Sequence, residues 1–171
     1  MLNIIIEDAI LGDEKGLAFV QKKTWLATYP NKKYKIFKKD ILLKDFDSDK
    51  KLYKWKQTIK SNGKENSYVC VAKDGKKVVG FCLVSKKEKL KELNAIYILS
   101  KYQKMGIGKK LLNKAFNWLG NTKKVMLTAV AYNDNAIGFY EKYGFVRTGK
   151  TGEKGLPNGK MIPEVQMIYG K

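Results

Sequence analysis

The chain has 171 residues, of which 44% are hydrophobic and 30% charged, a size and balance typical of one globular domain, so we predict a single domain over residues 1–171. It contains no histidine, which excludes Ser-His-Asp and Cys-His catalysis and His-ligated zinc. Its net charge of +19 is almost wholly lysine, with Arg147 the sole arginine and the lysines scattered along the chain, so we expect a solvated basic surface and not a nucleic-acid partner.

The amino end predicts a short buried strand and no targeting segment. Residues 2–6, Leu-Asn-Ile-Ile-Ile, are a short and mainly apolar run of five positions that ends at Glu7 and Asp8, and no basic region precedes it, unlike a secretory signal. No stretch of the sequence approaches the roughly 20 apolar residues that span a membrane. We therefore expect a cytoplasmic protein without a membrane partner.

Hydrophobic periodicity predicts a mixed order of elements, β-α-α-β-β-β-α-β-α-β-β. No repeat, linker or low-complexity tract interrupts this order, which is typical of one α/β (α+β) domain. The predicted segments are a strand over 2–6, a helix from 12 or 13 towards 29, a helical region over 34–60 broken near 47–48, strands over 67–73, 77–86 and 92–99, a helix over 108–119, a strand over 125–131, a helix over 133–143, and strands over 145–148 and 165–169 around a loop rich in Gly, Pro and Asn.

The first two of the middle strands should form a hairpin. Asp74-Gly75 lies between them and is a strong turn signal. Cys70 and Cys82 lie in these strands, inside apolar stretches and without the spacing of metal ligands. We expect both cysteines to be packing residues and predict no metal site.

The main candidate for chemistry is the turn Gln103-Lys104-Met105-Gly106-Ile107-Gly108, between a predicted strand and a predicted helix. Glycines let the backbone approach a ligand closely, and the N–H groups at the start of a helix attract anions. Lys104, Lys109 and Lys110 add positive charge beside the turn. These features predict a pyrophosphate site.

Two phosphate-binding motifs fit this sequence poorly. The dinucleotide fingerprint needs a small residue where Leu111 stands, and no ribose-binding acid follows. The mononucleotide pattern G-x-x-x-x-G-K-[ST] is matched by residues 144–151, but this motif must follow a buried strand and open a helix. Here a helical segment precedes it and its interior is strand-like. We interpret Gly144 as the end of a helix and Gly149 as the end of a strand.

The glycine turn resembles the acyl-CoA loop of the GNAT superfamily of N-acyltransferases, whose signature [QR]-x-x-G-x-[GA] is matched by Gln103, Gly106 and Gly108. Residues 133–145, NDNAIGFYEKYGF, strongly resemble the N-x-x-A-x-x-F-Y-x-K-x-G-F element of that family at its usual distance downstream. The two blocks together are specific. The resemblance spans residues 67–169.

This resemblance implies a mixed, mostly antiparallel central sheet of about six or seven strands flanked by helices, and an enzyme that transfers an acyl group from acetyl-CoA to an amine. It also implies that loop amides hold the pyrophosphate, and that the strand before the loop pairs its backbone with the pantetheine arm and donates to the oxyanion. Carried over to this chain, the cofactor contacts fall on Tyr97, Ile98, Gln103, Lys104, Met105, Gly106, Ile107, Gly108 and Lys109.

Three further side chains match functional residues of the family. Tyr140 matches a tyrosine that protonates the thiolate, a role for which a phenol has a suitable pKa, and the alternative is a tyrosine packed on Phe139. Asn133 matches an asparagine that contacts the CoA arm, and it is also a good helix N-cap. Glu92 lies eleven positions before Gln103, where several members place a general base. The alternatives are a solvated Glu92, with another acid or ordered water as the base.

The acceptor pocket of this superfamily is formed largely by the amino-terminal helices and the last hairpin loop, here residues 25–34 and 149–161. Four acids of the second helical region either attract a cationic amine or form a solvated face: Asp40, Asp45, Asp47 and Asp49. Four aromatic residues either wall an amine pocket or belong to the core or a dimer interface: Trp25, Tyr29, Tyr53 and Trp55.

We expect the acceptor to be a primary amine of a small molecule, with polyamine-like amines among the options. Protein or peptide amino groups are the alternative acceptors. Alternatives of another class are a non-catalytic basic nucleic-acid-binding module and a CoA sensor that transfers nothing. The sequence leaves open the acyl chain length and whether the protein is a homodimer.

Overall fold

The computed structural model describes residues 3–88, 90–120 and 124–170, and its elements follow the predicted order. None of the helices in these ranges is long and apolar enough to cross a membrane. The elements are β1 (Ile4–Asp8), α1 (Glu14–Thr28), α2 (Lys38–Leu42), α3 (Asp49–Lys60), β2 (Ser67–Asp74), β3 (Lys77–Lys87), β4 (Leu90–Ile98), a 3₁₀ turn (Ser100–Tyr102), α4 (Ile107–Leu119), β5 (Val125–Val130), α5 (Asp134–Tyr143), β6 (Phe145–Gly155) and β7 (Met161–Tyr169).

The chain forms two compact units, one of residues 1–24 and 46–121 and the other of residues 25–45 and 122–171. Strand pairings within each unit are antiparallel. Helices accompany the strands in both units, so the predicted mixed α/β class is confirmed. The assignment of a single domain to the whole chain stays a prediction.

In the first unit, four strands pair in the order β1-β2-β3-β4. The predicted hairpin joins β2 to β3, with Gly75 at a φ of +57° directly after Asp74. The ladder between β3 and β4 is irregular, because Leu83 faces Ala95 while its neighbour Val84 faces Leu93. Residue 94 is therefore an extra residue in β4, a β-bulge within the strand that precedes the candidate loop.

The core of the first unit covers both faces of β2. Successive strand residues point to opposite faces, and residues 68–73 are all buried. Val69 and Val71 pack in one cluster with Leu17 of α1 and Ile59 of α3. The intervening Cys70 faces α4. Helices cover β2 on both sides, which explains why its sequence is a continuous apolar run.

Both cysteines have the packing role that was predicted. Cys70 and Cys82 are opposite each other in β2 and β3, and both are buried free thiols. The Sγ atom of Cys70 lies 3.5 Å from the carbonyl oxygen of Leu111 in α4. Burial raises the pKa of the Cys82 thiol well above its usual value, so this sulfur remains protonated at neutral pH.

In the second unit, three strands pair in the order β5-β7-β6, and α5 joins β5 to β6. Gly144 ends α5 with a φ of +114°, as predicted, and the chain then enters β6. The end of α5 is held to the strands by a cluster of rings whose neighbouring centroids are 5.4–6.4 Å apart: Tyr140, Tyr143, Phe145 and Tyr169.

The last hairpin is longer than the sequence predicted. Gly149 does not end a strand: at a φ of +82°, it lies where the register shifts between Arg147 and Thr151, and the strand resumes beyond it. Glycine lowers strand propensity, but the ladder with β7 supplies the backbone hydrogen bonds that keep this segment extended. Residues 144–151 thus form a helix end followed by a strand, which excludes the mononucleotide motif as expected.

Gly16 tests the packing of α1 on β3. A Cβ atom at Gly16 would lie 2.7 Å from Cγ2 of Val78, so Gly16→Ala should lower the free energy of unfolding by about 1–3 kcal/mol through overpacking. Gly138→Ala in α5 is the control, since a Cβ there meets nothing within 4 Å. Its higher helix propensity should make that variant neutral or more stable by up to about 1 kcal/mol. Urea unfolding measures both, and equal effects would contradict the packing argument.

Candidate active site

The end of β4 lies close against β3. Ile98 is opposite Gly80, and Tyr97 is opposite Phe81, with their rings in an edge contact at 5.5 Å. A Cβ on Gly80 would lie 3.0 Å from the carbonyl oxygen of Tyr97 and 3.0 Å from the Ile98 side chain. A glycine at this position therefore allows the close approach that fixes Tyr97 and Ile98.

Two side chains anchor the turn after β4. Tyr102 is buried in the 3₁₀ turn, and its hydroxyl donates to Oδ2 of Asp74 at 2.8 Å. Gln103 donates from Nε2 to the carbonyl oxygen of Ile98 at 2.9 Å, and its backbone N–H donates to Ser100. These bonds give Gln103 a structural role in the turn, and its contact with a ligand stays a prediction.

The start of α4 is an open surface. Gly106 is the N-cap residue with a left-handed φ of +76°, and a Cβ placed on it would meet nothing within 4 Å. The first N–H groups of a helix lack partners within the helix, and a glycine has no side chain to cap them. Residues 103–106 are exposed, whereas Ile107 is buried and anchors the helix. The N–H groups of residues 107–109 are thus suited to bind a diphosphate.

Positive charge surrounds this start of α4. Lys104 and Lys109 are exposed on either side of Gly106, and Met105 is exposed between them. Lys104 has a φ of +62°, a left-handed conformation that residues other than glycine rarely adopt. Such conformations persist only where the surroundings impose them, and they concentrate at functional sites. The turn is therefore a constrained basic loop.

Glu92 lies at the other end of β4. It pairs with Ser85 of β3 and is half-buried, and its Oε2 accepts a hydrogen bond from Asn94 at 3.4 Å. Tyr97 lies five positions after Glu92, or roughly 17 Å along a strand. The bulge lies between them. The role of Glu92 as a general base stays a prediction.

In the second unit, α5 carries the other two matched residues. Asn133 is the N-cap of α5, and its Oδ1 accepts the N–H of Ala136 at 3.2 Å. Tyr140 is buried, and its ring lies 5.5 Å from that of Phe139 and 5.7 Å from that of Phe145. The capping and packing roles are therefore present, while the CoA contact of Asn133 and the acid role of Tyr140 stay predictions.

Asp40 is not part of a solvated acidic face, which was one of the two interpretations of the acidic cluster. Its carboxylate is buried, where it accepts hydrogen bonds from Asn158 Nδ2, from Lys160 Nζ and from the Phe37 N–H, each at 2.8 Å. The bond from Lys160, followed by that from Phe37, holds the pKa of Asp40 below its usual value. Lys160 also donates to the carbonyl oxygen of Lys35 at 2.6 Å. Local sequence patterns could not predict these contacts of Asp40, because Asn158 and Lys160 are 118 and 120 residues away from it in the sequence.

The aromatic residues proposed for the acceptor side have different surroundings. Trp25 and Tyr29 lie together in the second unit with ring centroids 4.3 Å apart. Trp55 belongs to the core of the first unit, where it packs edge-on against Phe81 at 5.4 Å, and Tyr53 is exposed. Burial confirms the core interpretation for Trp55, and Trp25 and Tyr29 are buried as well, at 3% and 7% exposure. A role of Trp25 and Tyr29 on the acceptor side stays a prediction.

The model of the acetyltransferase (GNAT) family matches residues 31–145 of this chain. The chain belongs to the GNAT acetyltransferase family. Its structure is similar to PaiA N-acetyltransferase from Thermoplasma acidophilum in complex with coenzyme A, with a TM-score of 0.71, 21% identity and 99% of each chain covered. A GNAT acetyltransferase from Streptococcus pneumoniae gives a TM-score of 0.71 at 21% identity, covering 97% of this chain and 98% of that one.

A third solved structure is similar in fold. Arabidopsis thaliana NAA60 in complex with a bisubstrate analogue gives a TM-score of 0.69 at 15% identity, with 98% of each chain covered. At these identities the similarity concerns the fold. It confirms the mixed GNAT fold and, with the family match, the predicted class of enzyme, an acetyltransferase.

Tyr102 tests how the GNAT loop is anchored. Tyr102→Phe removes the hydroxyl that donates to Asp74, so it should lower the free energy of unfolding by about 1–3 kcal/mol, a usual range for a hydrogen bond to a charged acceptor. Asp74→Asn keeps an acceptor oxygen for the Tyr102 hydroxyl, so it should lower the free energy of unfolding by less than Tyr102→Phe does. Chemical denaturation of both variants measures the difference. A larger loss for Asp74→Asn would show that the bond is not what anchors the turn.

Proposed function

We propose that the protein transfers an acetyl group from acetyl-CoA to a primary amine of a small molecule. The observation that carries this proposal is the open start of α4, where the N-cap Gly106 is left-handed and a Cβ on it would meet nothing within 4 Å. Acetyl-CoA is the donor implied by membership of the GNAT family, and CoA is bound in the related PaiA structure.

The cofactor contacts follow from this geometry. The diphosphate of CoA binds the N–H groups of Ile107, Gly108 and Lys109, with Lys104 adding charge on the other side of Gly106. The pantetheine arm leaves along the end of β4 at Tyr97 and Ile98. The Nδ2 of Asn133 is the atom left to contact the arm, because its Oδ1 caps α5.

Acetyl transfer first requires a neutral amine. With a pKa near 10.4, an alkylamine costs about 4–5 kcal/mol to deprotonate at pH 7. Glu92 is the candidate acceptor of that proton, directly or through water. The amine nitrogen then attacks the thioester carbonyl, and a backbone N–H of β4 stabilises the oxyanion. The bulge at residue 94 supports this step, because a bulge disrupts the ladder and changes where backbone groups point.

Collapse of the tetrahedral intermediate breaks the carbon–sulfur bond, and the attacking nitrogen loses its remaining extra proton to water to give the amide. The CoA thiolate departs and takes a proton from the Tyr140 hydroxyl, and solvent later restores that proton. A phenol suits this step because its pKa near 10 is close enough to that of a thiol for proton transfer.

The hydrogen-bonded contacts of Asp40 in the second unit favour a small acceptor over a polypeptide. Lys160 and Asn158 bind Asp40, and Lys160 also binds the Lys35 carbonyl. These bonds tie together two segments on the acceptor side of the family, which restricts the space that a polypeptide would need. A panel of small amines and of peptides, assayed by release of free CoA, tests the choice. Faster turnover of peptides would reverse it.

Gly106→Trp should abolish binding of acetyl-CoA, because a bulky side chain would fill the space over the amides of residues 107–109. Gly120→Trp is the matched control at the other end of α4, where the φ is +71° and a Cβ also meets nothing within 4 Å. Calorimetric titration with acetyl-CoA should show at least a 100-fold higher Kd for the first variant and wild-type affinity for the second. Equal affinities would refute the assigned site.

Tyr140→Phe should lower kcat by roughly 100-fold with little change in the KM for acetyl-CoA, since it removes only the proton donor. Tyr143→Phe is the control, a half-buried tyrosine of the same helix and ring cluster. Steady-state kinetics separate the two effects. An unchanged kcat for Tyr140→Phe would remove this residue from the mechanism.

A further inference from the structure

A second carboxylate in the second unit is buried, and its surroundings differ from those of Asp40. Glu164 lies on β7 opposite Gly152 of β6 and Val130 of β5, and 11% of its side chain is exposed. Nζ of Lys154, a diagonal neighbour on β6, lies 2.8 Å from its Oε1. Within the described ranges, this ion pair is the polar contact of the Glu164 carboxylate.

The indole ring of Trp25 lies beside the ammonium group of Lys154. Nζ of Lys154 is 5.6 Å from the ring centroid of Trp25, and the Nζ of Lys44 is 5.1 Å from the same centroid. A carboxylate together with an aromatic face is the combination that recognises alkylammonium groups. The Lys154 ammonium thus shows that the space between Glu164 and Trp25 accepts an alkylammonium.

The Lys154 ammonium is also held more loosely than that of Lys160. Lys160 donates to Asp40 and to the Lys35 carbonyl, and Asp40 has two further donors, so that arrangement is closed. Among the described residues, Lys154 has Glu164 as its acceptor, where Lys160 has two acceptors. The two lysine side chains are similarly exposed, at 38% and 34%, so the difference lies in the number of bonds. Removal of Lys154 would leave a buried carboxylate unpaired, which is costly unless another cation replaces it.

The position of Glu164 places it beside the chain segment that leads to α5. Its partner Val130 precedes Asn133 by three residues in the sequence, and Asn133 is the proposed contact of the CoA arm. Glu164 therefore lies on the strand next to β5, whose last residue precedes Asn133 by three positions.

A carboxylate at this distance favours the charged form of an amine, and a charged amine cannot attack a thioester. The amine held by Glu164 is consequently not the one that is acetylated. An acceptor that uses this site needs one amino group to react and a second to bind.

We propose that Glu164 and Trp25 form a subsite for the second, charged amino group of the acceptor, that the acceptor displaces Lys154 from it, and that the acceptor class is the alkyl diamines. This inference rests on the proposed acetyl transfer and narrows its substrate. Lys154 competes with the acceptor for the subsite, so its removal should improve binding.

Lys154→Met tests this competition, because methionine keeps an apolar stem and lacks the ammonium. With 1,4-diaminobutane as acceptor, the variant should lower KM by at least about threefold, and it should raise the ratio of kcat/KM for 1,4-diaminobutane over 1-aminobutane. Lys150→Met is the matched control, an exposed lysine of the same strand with the same loss of charge, and it should leave that ratio as in wild type. Glu164→Gln, which keeps the side chain's shape, should raise KM for the diamine about tenfold and bring the ratio close to one.

A structural ion pair would give different results. Lys154→Met would then raise KM or leave the ratio unchanged, and Glu164→Gln would affect both amines equally; either result overturns the subsite. Calorimetric binding of 1,4-diaminobutane without acetyl-CoA separates this inference from the proposed function. Tighter binding of 1,4-diaminobutane by Lys154→Met supports the subsite even if no amine is acetylated. Equal binding by Lys154→Met and wild type refutes the subsite. In that case, acetylation of other amines would preserve the proposed function.

Discussion

Cofactor binding in the proposed mechanism depends on the start of α4, where the N-cap is an exposed glycine with no side chain to cap the helix. The first N–H groups of α4 need partners outside the helix, and the N-cap is a glycine that offers none. The chain holds this arrangement in place through neighbouring bonds, from Tyr102 to Asp74 and from Gln103 to the end of β4. A basic turn with fixed backbone donors is preorganised for a diphosphate, so little conformational entropy is lost when the ligand binds.

The second unit contains two buried carboxylates whose ionic contacts differ. Asp40 is bonded by several donors and closes two segments onto each other, which makes it structural. Glu164 pairs with one lysine, for which the described residues supply no second acceptor, and an indole ring lies beside that lysine. The high lysine content of the chain makes such internal ammonium groups available. A protein of this composition can therefore use its own lysines both to fix a loop and to occupy a binding subsite.

Local patterns predicted the elements that position the cofactor loop. The apolar periodicity of α4, the turn at Asp74 and the N-cap at Asn133 each depend on residues near in sequence, and the structure has all three. The extension of β6 through Gly149 depends instead on pairing with β7, and local propensity opposed it. The buried state of Asp40 depends on side chains more than a hundred residues away, which no local pattern contains.

In the candidate site, too, local signals predicted some residues and not those that depend on tertiary contacts. Gly106 and Gly108 could be found because a glycine turn between a strand and a helix is a local signal, and family resemblance then supplied the roles of Tyr140 and Glu92. The anchor at Tyr102 and the pair of Glu164 with Lys154 carry no motif, since each requires two strands or a strand and a turn to come together. Such contacts depend on the tertiary fold.

The most direct test of the central claim is an amide NMR titration of the ¹⁵N-labelled protein with CoA. We predict that the backbone N–H signals of Ile107, Gly108 and Lys109 show the largest downfield shifts, as expected for new hydrogen bonds to phosphate, and that dephosphorylated pantetheine leaves these three signals in place. Saturable CoA binding that shifts other amides and leaves these three unmoved would contradict it.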